Sequence, residues 1–552
     1  MGIIGADIVL KTMMEEGVEA IFGYPGANTL PLHDRLAEGP IRHYLMRHEQ
    51  AAAHAADGYA RATGKVGVCL ATSGPGATNL VTGIATAYMD STPLVAITAQ
   101  VDSDLWGHDA FQETDIIGIT MPITKHSFMV RDETQLASSL RQAFQLASTG
   151  RTGPVLVDIP KDILSAPCAD QPKRIPAAIS KRLENPEQIE RIAQALNRSE
   201  RPVVIIGGGV KLGDACERTT EFVQKAQIPF VTTMMGIGSV ASANGFNLGF
   251  IGMHGNELAN RTIHQADFIL ALGTRFTERS TSVIEEFAPL ATVAQIDIDP
   301  TSIGKNIKVD LAYEGDIQDA LTALIPLIVP HAREEWMGRI RAGRDLQEAK
   351  LKDGGCGQAG NLIRKIQAAM PREAIVVPDV GLNQIWTVRT WQSHSPRSLL
   401  TSGGMGTMGF SIPAAIGAKV GAGDRDVIVI CGDGGFYMNI QELATISTYR
   451  LPIKIVVINN GHLGMIRQIQ DLFYEARFTE SQLGDRVDLT AVARGFGIPA
   501  ERIAVDENPE EAIARMAAAD GPYMLEAMVD QNNYVYPIIP PGRSNMEMIC
   551  GK

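Results

Sequence analysis

Two strand-like apolar runs that end in polar residues constrain the fold of this chain more than any other feature. Residues 426–431 lead into a glycine turn with one carboxylate, Asp433, and residues 453–458 end in Asn459-Asn460. A helix-like stretch lies between them, so we expect parallel strands whose carboxyl ends lie side by side, where open α/β sheets bind ligands. One carboxylate and one amide oxygen suit Mg²⁺, which takes its other oxygens from water and phosphate.

The glycines of this turn, Gly432, Gly434 and Gly435, would let the backbone approach such a phosphate closely. An ordinary strand–helix turn explains Gly-Asp-Gly equally well when it is taken alone. An asparagine 27 residues after Asp433 favours the metal and phosphate site. This spacing resembles the signature of thiamine diphosphate (ThDP) enzymes.

A candidate catalytic carboxylate lies near the start of the chain, where Arg47-His48-Glu49-Gln50 follows a short strand-like run and opens a helix. A single glutamate at such a position usually only complements the helix dipole. Thiamine chemistry, in contrast, needs a carboxylate that hydrogen-bonds the pyrimidine ring of the cofactor and favours its imino form, which then accepts a proton from the thiazolium ring. Glu49 is our candidate for that carboxylate.

Motifs distributed over almost the whole chain resemble those of the catalytic large subunit of acetohydroxyacid synthase, also called acetolactate synthase, a family of ThDP enzymes. Each motif is weak alone, and their number and order carry the resemblance. Besides the segments above, they are Phe22-Gly23-Tyr24-Pro25-Gly26, Thr72-Ser73-Gly74-Pro75-Gly76, Asp109-Ala110-Phe111-Gln112-Glu113, Gly252-Met253-His254-Gly255, Thr401-Ser402-Gly403-Gly404 and Gly464-Met465.

The resemblance implies a reaction with two halves. Pyruvate is decarboxylated on ThDP, and the hydroxyethyl carbanion condenses with a second 2-keto acid. Pyruvate then gives 2-acetolactate, and 2-oxobutanoate gives 2-aceto-2-hydroxybutyrate, in branched-chain amino-acid biosynthesis. The implied cofactors are ThDP, Mg²⁺ and an FAD without a redox role. The implied assembly is a homodimer or tetramer with the active site shared between subunits, and a small regulatory subunit is common in the family.

Site residues carry over from the family one position at a time. The metal is expected at Asp433, Asn460 and the main chain of His462. ThDP is expected to contact Glu49 and also Pro25, Gly26, Asn383, Met408, Gly432, Gly434, Gly435, Met438 and Met465. The expected catalytic residues are Glu49, Gln112 and Lys125, and the expected substrate contacts are Phe111, Met253, Arg279 and Ile469.

Arg279 is the candidate for holding the carboxylate that the second 2-keto acid keeps, because a guanidinium group binds carboxylates through two hydrogen bonds. A solvated arginine on a loop is the alternative interpretation.

A flavin site is expected in the middle of the chain, where Gly207-Gly208-Gly209 lies between a predicted strand and a predicted helix. Such a turn directs backbone N–H groups at a pyrophosphate. It lacks the GxGxxG pattern, so a tight turn without a ligand is the alternative. The resemblance implies FAD contacts from Arg151, Gly207, Gly208, Thr233, Met253, His254, Gly273, Arg275, Asp297 and Asp316.

Strands alternate with helices from end to end, which predicts an α/β protein of three domains, each with a mostly parallel sheet flanked by helices. We expect a pyrimidine-binding domain over 1–165, an FAD-type domain over 187–330 and a diphosphate- and Mg²⁺-binding domain over 360–540. One linker is expected over 166–186, and a second is expected to consist of a charged helical stretch, 332–352, and the glycine cluster 354–360. The proline-rich tail after Tyr536 is predicted to be a lid or a packing arm.

Composition excludes several other classes of protein. A formal net charge of −13 argues against a nucleic-acid surface. Six scattered cysteines without metal-ligand spacing indicate a reducing compartment. The chain shows neither a secretory signal nor an apolar run of membrane-spanning length, so we expect a cytoplasmic protein.

Four departures from the family pattern leave the substrate open. Ile469 stands where a tryptophan that favours 2-oxobutanoate is usual, and Glu278 replaces an aspartate beside Arg279. Ala27-Asn28 replaces Gly-Ala near the expected reactive carbon, and Leu382-Asn383 replaces Gln-His near the diphosphate. The main alternatives are a related ThDP carboligase or decarboxylase acting on another small 2-keto acid or aldehyde, and a flavoenzyme of the pyruvate oxidase type.

Two further classes of protein fit this sequence less well. A nicotinamide dehydrogenase leaves Asp433 and Asn460 unexplained. A non-catalytic scaffold would not need to keep Glu49, Asp433 and Asn460 together.

Overall fold

Three parallel sheets flanked by helices form the chain, which confirms the predicted fold class. The structure is a computed structural model that describes residues 2–169, 185–352, 357–484 and 486–551, without the side chains of 350–352. Every strand pair of these sheets is parallel. We call the three units the first, middle and third domains.

The first domain has a six-stranded sheet of order β2-β1-β3-β4-β6-β5. Its strands are β1 (Ala20–Gly23), β2 (Arg42–Leu45), β3 (Gly67–Ala71), β4 (Leu94–Gln100), β5 (His126–Met129) and β6 (Pro154–Pro160). Its helices are α1 (Gly5–Glu15), α2 (Leu30–Glu38), α3 (Glu49–Thr63), α4 (Pro75–Asn79), α5 (Val81–Asp90), α6 (Ile116–Thr120), α7 (Leu136–Ser148) and α8 (Lys161–Ser165).

The middle domain has a six-stranded sheet of order β12-β11-β10-β7-β8-β9. Its strands are β7 (Pro202–Ile206), β8 (Phe230–Thr232), β9 (Asn247–Phe250), β10 (Phe268–Leu272), β11 (Thr292–Asp297) and β12 (Leu311–Glu314). Its helices are α9 (Pro186–Arg198), α10 (Gly209–Leu212), α11 (Cys216–Ala226), α12 (Glu257–Gln265), α13 (Glu278–Thr281) and α14 (Ile317–Leu324), and α15 (Glu334–Lys352) leads to the third domain.

The third domain has a five-stranded sheet of order β13-β14-β15-β17-β16. Its strands are β13 (Ile375–Pro378), β14 (Val427–Gly432), β15 (Ile453–Asn459), β16 (Ala500–Ile503) and β17 (Tyr523–Met528). Its helices are α16 (Gly357–Ala369), α17 (Leu382–Thr390), α18 (Ser411–Gly421), α19 (Asp433–Met438), α20 (Leu443–Thr448), α21 (Gly464–Phe473), α22 (Leu489–Gly495) and α23 (Glu510–Ala518).

The predicted linkers are only partly described. Residues 170–184 and 353–356 lie outside the described residues. The expectation that 354–360 is a linker is wrong for its second half, because α16 begins at Gly357 and buries Ala359 and Gly360. Leu362, Ile363 and Ile366 of α16 continue that buried stripe, and this helical spacing decides the structure over the local glycine content.

Helices α3 and α18 join the first and third domains through direct backbone contact. A Cβ at Gly417 would overlap the Ala55 carbonyl oxygen, and a Cβ at Gly58 would overlap the Ala414 carbonyl oxygen. The alanines of α3 and α18 therefore belong to one hydrophobic core that also includes residues of β3 and β14. Larger residues at 58 or 417 would force the two helices apart.

A buried ion triad of the first domain forms hydrogen bonds to the third domain at the same boundary. The Arg61 guanidinium binds Asp57 on its own helix and Asp90 at 2.9 Å, and it donates to the Thr401 carbonyl at 2.9 Å. Asp90 in turn accepts hydrogen bonds from the Gly403 and Gly404 amides at 3.1 and 2.7 Å. The triad thus ties α3 and α5 to the 401–404 loop of the third domain.

The proline-rich tail packs against the body of the chain, as predicted for a packing arm. Ile538 and Ile539 are buried, and the Ile539 amide donates to the Met253 carbonyl of the middle domain at 2.9 Å. Gln468 of α21 binds both the amide and the carbonyl of Val535. Among the described residues, no helix is both long enough and apolar enough to cross a membrane.

Candidate active site

The predicted metal-binding edge lies at the carboxyl ends of two adjacent strands. β14 and β15 are parallel neighbours, with Gly432 beside Ile458, so Asp433 and Asn460 leave the sheet on the same side. Burial raises the pKa of the Asp433 carboxyl to about 7, and backbone N–H groups, including those of Gly434 and Gly461, offset part of that effect. The Asn460 side-chain oxygen accepts a hydrogen bond from the His462 amide at 3.0 Å.

This edge offers oxygen ligands rather than a cluster of charged ones. Within the described ranges, no group of three or more histidine, cysteine, aspartate or glutamate side chains could hold a metal ion. A single desolvated carboxylate, one amide and one main-chain group remain, which fits a hard cation that shares its ligands with a phosphate.

Several of the residues expected around the ThDP diphosphate and pyrimidine lie together at this edge. A Cβ at Gly434 would contact Met408, and one at Gly409 would collide with Met438, so both methionines pack against glycine backbone. Asn383 opens α17 beside Gly432 and donates to the Asp379 carbonyl at 2.7 Å. A larger residue at 434 would remove the space that a cofactor needs here.

Asp379 is a buried carboxylate that the sequence analysis missed. It follows β13 and accepts hydrogen bonds from the Gly409 amide, from the Ser411 amide and hydroxyl, and from the Val380 amide, at 2.7–2.9 Å. Burial raises its pKa. Its position directly after a strand was the available signal, and its role is to fix the loop that carries Met408.

Glu49 begins α3 and is buried, with 9% of its surface exposed. Its Oε2 accepts a hydrogen bond from the Asn79 side chain at 2.9 Å, and a Cβ at Gly76 would lie 3.3 Å from its Oε1. Gly26 packs on Thr72 in the same cluster. The helix end and this shielding give the first domain one oriented carboxylate, and Asn79 is a contact that the sequence did not indicate.

Asn28, one of the four departures, lies in the same region. Its side-chain amide donates to the Ser73 hydroxyl at 2.6 Å. The Thr72-Ser73-Gly74-Pro75-Gly76 motif therefore borders Asn28 through Ser73 and Glu49 through Gly76.

A cleft of about 760 Å³ lies where the three domains meet. Its lining includes nine of the ten residues expected to bind FAD: Arg151, Gly208, Thr233, Met253, His254, Gly273, Arg275, Asp297 and Asp316. Gly207 lies outside this lining, and a Cβ at this position would overlap the Gly273 carbonyl oxygen. A cleft of this volume, with charged residues such as Arg151 and Asp297 in its lining, has room for a dinucleotide.

The lining of this cleft contains both charged side chains and a neutral imidazole. Arg151 pairs with Asp299 at 3.1 Å. Burial raises the pKa of Asp297, and it lowers the pKa of Arg275, with Arg151 acting in the same direction. Burial also lowers the pKa of His254 to about 4, so this imidazole is neutral near pH 7.

Three of the four expected substrate residues line the same cleft. Arg279 on α13 and Ile469 on α21 both line it, together with Met253 and Met465. Arg279 donates to the Met253 sulfur at 2.8 Å and lies 3.6 Å from Glu278. Its side chain is 71% exposed, so the guanidinium retains donors for a ligand.

Four of the expected catalytic and substrate residues lie outside the lining of the cleft: Glu49, Phe111, Gln112 and Lys125. Phe111 is 86% exposed, and Gln112, with a φ of 66°, touches Gly74 near the Glu49 cluster. Lys125 donates to the Leu146 and Thr149 carbonyls at the end of α7. The single chain therefore joins Gln112 to the Glu49 region and leaves Phe111 and Lys125 apart from the cleft.

Comparison with known proteins places these features in a family. Family models described as the N-terminal, central and C-terminal domains of thiamine pyrophosphate enzymes match residues 3–119, 189–324 and 379–527. These three domains define a thiamine diphosphate enzyme.

Similar proteins of named function indicate one family within this class of enzymes. The chain is 42% identical to a probable acetolactate synthase large subunit of Methanocaldococcus jannaschii, over 98% of this chain and 94% of the relative. It is 41% identical to the acetolactate synthase isozyme 2 large subunit of Escherichia coli, over 99% of each. It is also 41% identical to the acetolactate synthase large subunit of Parasynechococcus marenigrum, over 99% of this chain and 91% of the relative. The chain belongs to the acetolactate synthase large-subunit family.

Proposed function

We propose that this protein is an acetolactate synthase, which decarboxylates pyruvate and joins the remaining two-carbon unit to a second 2-keto acid in branched-chain amino-acid biosynthesis. The lining of the cleft supports this proposal, because nine of the expected flavin residues, Arg279 and residues of α21 all lie in it. The acceptor is pyruvate, giving 2-acetolactate, or 2-oxobutanoate, giving 2-aceto-2-hydroxybutyrate. We place the protein in the cytoplasm.

ThDP, when bound, supplies the electron sink for decarboxylation. Residues of the third domain would hold its diphosphate through Asn383 and the Gly432–Gly435 turn, and Asp433, Asn460 and the His462 main chain would hold Mg²⁺. Pro25 and Gly26 would contact it from the first domain. FAD would occupy the cleft between Arg151, Asp297 and His254 without exchanging electrons.

Five residues of this chain take part in the proposed reaction. The Glu49 carboxylate, oriented by Asn79, holds a proton shared with the pyrimidine ring. Arg279 binds the carboxylate of the second 2-keto acid. Gln112 and Lys125 belong to the catalytic set, and Phe111 to the substrate contacts, of a site completed between subunits.

The assembly we propose is a homodimer or a tetramer of such dimers with shared active sites. The relatives are named large subunits, so we further propose that a small regulatory subunit binds this chain.

Product analysis tests the function. Purified protein is incubated with ThDP, Mg²⁺, FAD and pyruvate, with and without equimolar 2-oxobutanoate, and both acetohydroxy acids are quantified. We expect 2-acetolactate from pyruvate alone. Unchanged pyruvate would contradict the proposal and point to another donor, consistent with Asn28 near the Glu49 cluster. Reduction of the flavin by pyruvate under anaerobic conditions would identify a pyruvate-oxidase-type enzyme instead.

Replacing Arg279 by glutamine is expected to lower kcat/KM for the acceptor by about 10- to 100-fold, because a charge-assisted hydrogen-bond pair to the carboxylate is lost. Steady-state kinetics with varied acceptor measure the change. Arg218→Gln on α11, which removes an exposed pair with Glu221, is the control and should match the parent. An unchanged kcat/KM in Arg279→Gln would return this arginine to the role of a solvated loop residue.

Replacing Ile469 by tryptophan is expected to raise the preference for 2-oxobutanoate over pyruvate by about tenfold, since one methylene in a shaped apolar pocket discriminates by about 1–3 kcal/mol. Competition between the two acceptors measures this ratio. Ile466→Trp on the same helix, at a position with 46% exposure, is the matched control. Equal ratios in both variants would remove residue 469 from acceptor selection.

A further inference from the structure

A second cavity, of about 1220 Å³, lies behind the wall of the candidate active site. We call it the back cavity. It is bounded by β9 and α15 on one side, by α16 and α17 on the other, and by residues 532–537 of the tail. None of the residues assigned above to ThDP, Mg²⁺, FAD or substrate lines it, so it requires its own explanation.

The back cavity and the cleft share one wall. On α17, Gln384 and Ile385 line the cleft, whereas Trp386 and Val388 line the back cavity. The tail continues this division, with residues 535–537 on the back cavity and 538–539 on the cleft. A ligand in the back cavity would therefore contact the same helix and tail that shape the cleft.

A direct mechanical link leads from this wall to α21. Gln468 holds the Val535 carbonyl at 2.7 Å and the Val535 amide at 3.2 Å. The next residue on α21 is Ile469, which lines the cleft. Arg389 on α17 binds the Tyr536 carbonyl, and its charge also lowers the pKa of His254 in the cleft.

Charge in the back cavity favours an anion. Arg344, Arg364 and Arg389 line it, against Glu257 and Glu348. Glu257 is already paired with Arg261 at 3.1 Å. Arg364 has neither an ion pair nor a hydrogen bond within the described part of the chain.

Orphaned polar atoms at the back cavity also point to a ligand. The Trp386 indole N–H is buried in a residue only 5% exposed, and it has no acceptor among the described residues. The Asn533 amide nitrogen likewise lacks an acceptor there, and the Gln347 side-chain oxygen lacks a donor. Buried polar atoms normally have partners, so two donors without acceptors favour a ligand rich in acceptor oxygens.

A peptide strand added to the sheet would not satisfy these groups. β9 is the edge strand that faces the back cavity, but its free edge is closed by side chains. Asn256 accepts from the Phe250 amide at 3.0 Å, Asn247 accepts from the Gly249 amide at 2.9 Å, and Arg344 donates to the Asn247 carbonyl at 3.1 Å. This closure favours a small molecule over strand pairing.

We propose that the back cavity binds a small organic anion that bears a carboxylate or phosphate group. This anion acts as an effector that changes the reaction of the acceptor in the cleft. The anion is held by Arg364 and Arg344, with Trp386 and Asn533 as neutral donors. Its contacts with α17 and the 532–537 segment shift the position of α21. Binding stands independently of the proposed function, whereas the kinetic effect rests on it.

Calorimetric titration of the enzyme saturated with ThDP, Mg²⁺ and FAD tests the binding. Tricarballylate serves as the carboxylate probe and glucose 6-phosphate as the phosphate probe, each up to about 10 mM, which covers millimolar affinities. We expect saturable binding of one of them. Arg364→Gln and Arg344→Gln should each weaken it by about tenfold, and Arg372→Gln, at an exposed position outside the cavity, is the control.

The second measurement is the effect of the bound probe on acceptor KM and kcat, which we expect to change in the parent and in Arg372→Gln and to stay constant in Arg364→Gln. Lack of saturable binding of both probes overturns the site. Equal binding by parent and both arginine variants places the probe elsewhere and also overturns it. Binding that requires Arg364 but leaves the kinetics unchanged overturns the effector role. Failure to make acetolactate while binding persists would reject only the proposed function.

Discussion

The Glu49→Gln protein is expected to bind ThDP and to lose turnover by about 10²–10⁴-fold, the usual contribution of general acid–base catalysis. Glutamine keeps the shape of the side chain and its place beside Asn79, but it cannot share a proton with the pyrimidine ring. Titration of ThDP followed by initial rates of pyruvate consumption separates binding from turnover.

Glu38→Gln is the matched control for this experiment, because Glu38 ends α2 in the same domain and is exposed. It should leave both quantities unchanged. Near-parental turnover in Glu49→Gln would reject the catalytic role of this carboxylate, whereas loss of ThDP binding would assign Glu49 to cofactor affinity instead.

Replacing Arg61 by methionine is expected to destabilise the protein by about 3–5 kcal/mol, the cost of leaving buried charges without their partner. Asp57 and Asp90 have fully buried side chains, and burial raises the pKa of Asp57 even with Arg61 beside it. The midpoint of urea denaturation at constant protein concentration reports the change.

Two further variants show whether the buried charges cause that loss. Arg218→Met removes an exposed pair and should lower stability by less than about 1 kcal/mol. Asp57→Leu combined with Arg61→Met removes one uncompensated carboxylate and should recover part of the stability. A urea midpoint that Arg61→Met leaves in place would show that the 401–404 loop is held by other contacts.

Local patterns predicted the parts of the fold that depend on local sequence. The apolar runs predicted as strands at 426–431 and 453–458 are observed as β14 (Val427–Gly432) and β15 (Ile453–Asn459). The polar residues after them lie at one edge of the sheet. The continuous apolar character of these runs reflects burial on both faces of a parallel sheet, which is why they could be identified. The start of α16 was missed because burial of one helical face outweighs a glycine-rich composition.

Contacts between distant segments could not be predicted in the same way. The Asp90 hydrogen bonds to Gly403 and Gly404 join residues more than 300 positions apart, and neither segment carries a local signal of its partner. Asn79, the last residue of α4, carries no local sequence signal of its hydrogen bond to Glu49. The cleft residues were expected from the family resemblance. Sequence periodicity alone does not predict that Arg151, Arg279 and Ile469 line one cavity.

The contact between α3 and α18 has a consequence for motion. Since backbone touches backbone at Gly58 and Gly417, and the Arg61 triad is hydrogen-bonded to the 401–404 loop at the same boundary, the first and third domains cannot slide past each other without breaking their common core. The middle domain meets the third through another shared core, which includes Ile237 and Phe250, and through contacts such as the Arg397–Asp214 pair and the Ile539–Met253 hydrogen bond. Any opening of the cleft would therefore have to occur where the middle domain meets this fixed two-domain frame.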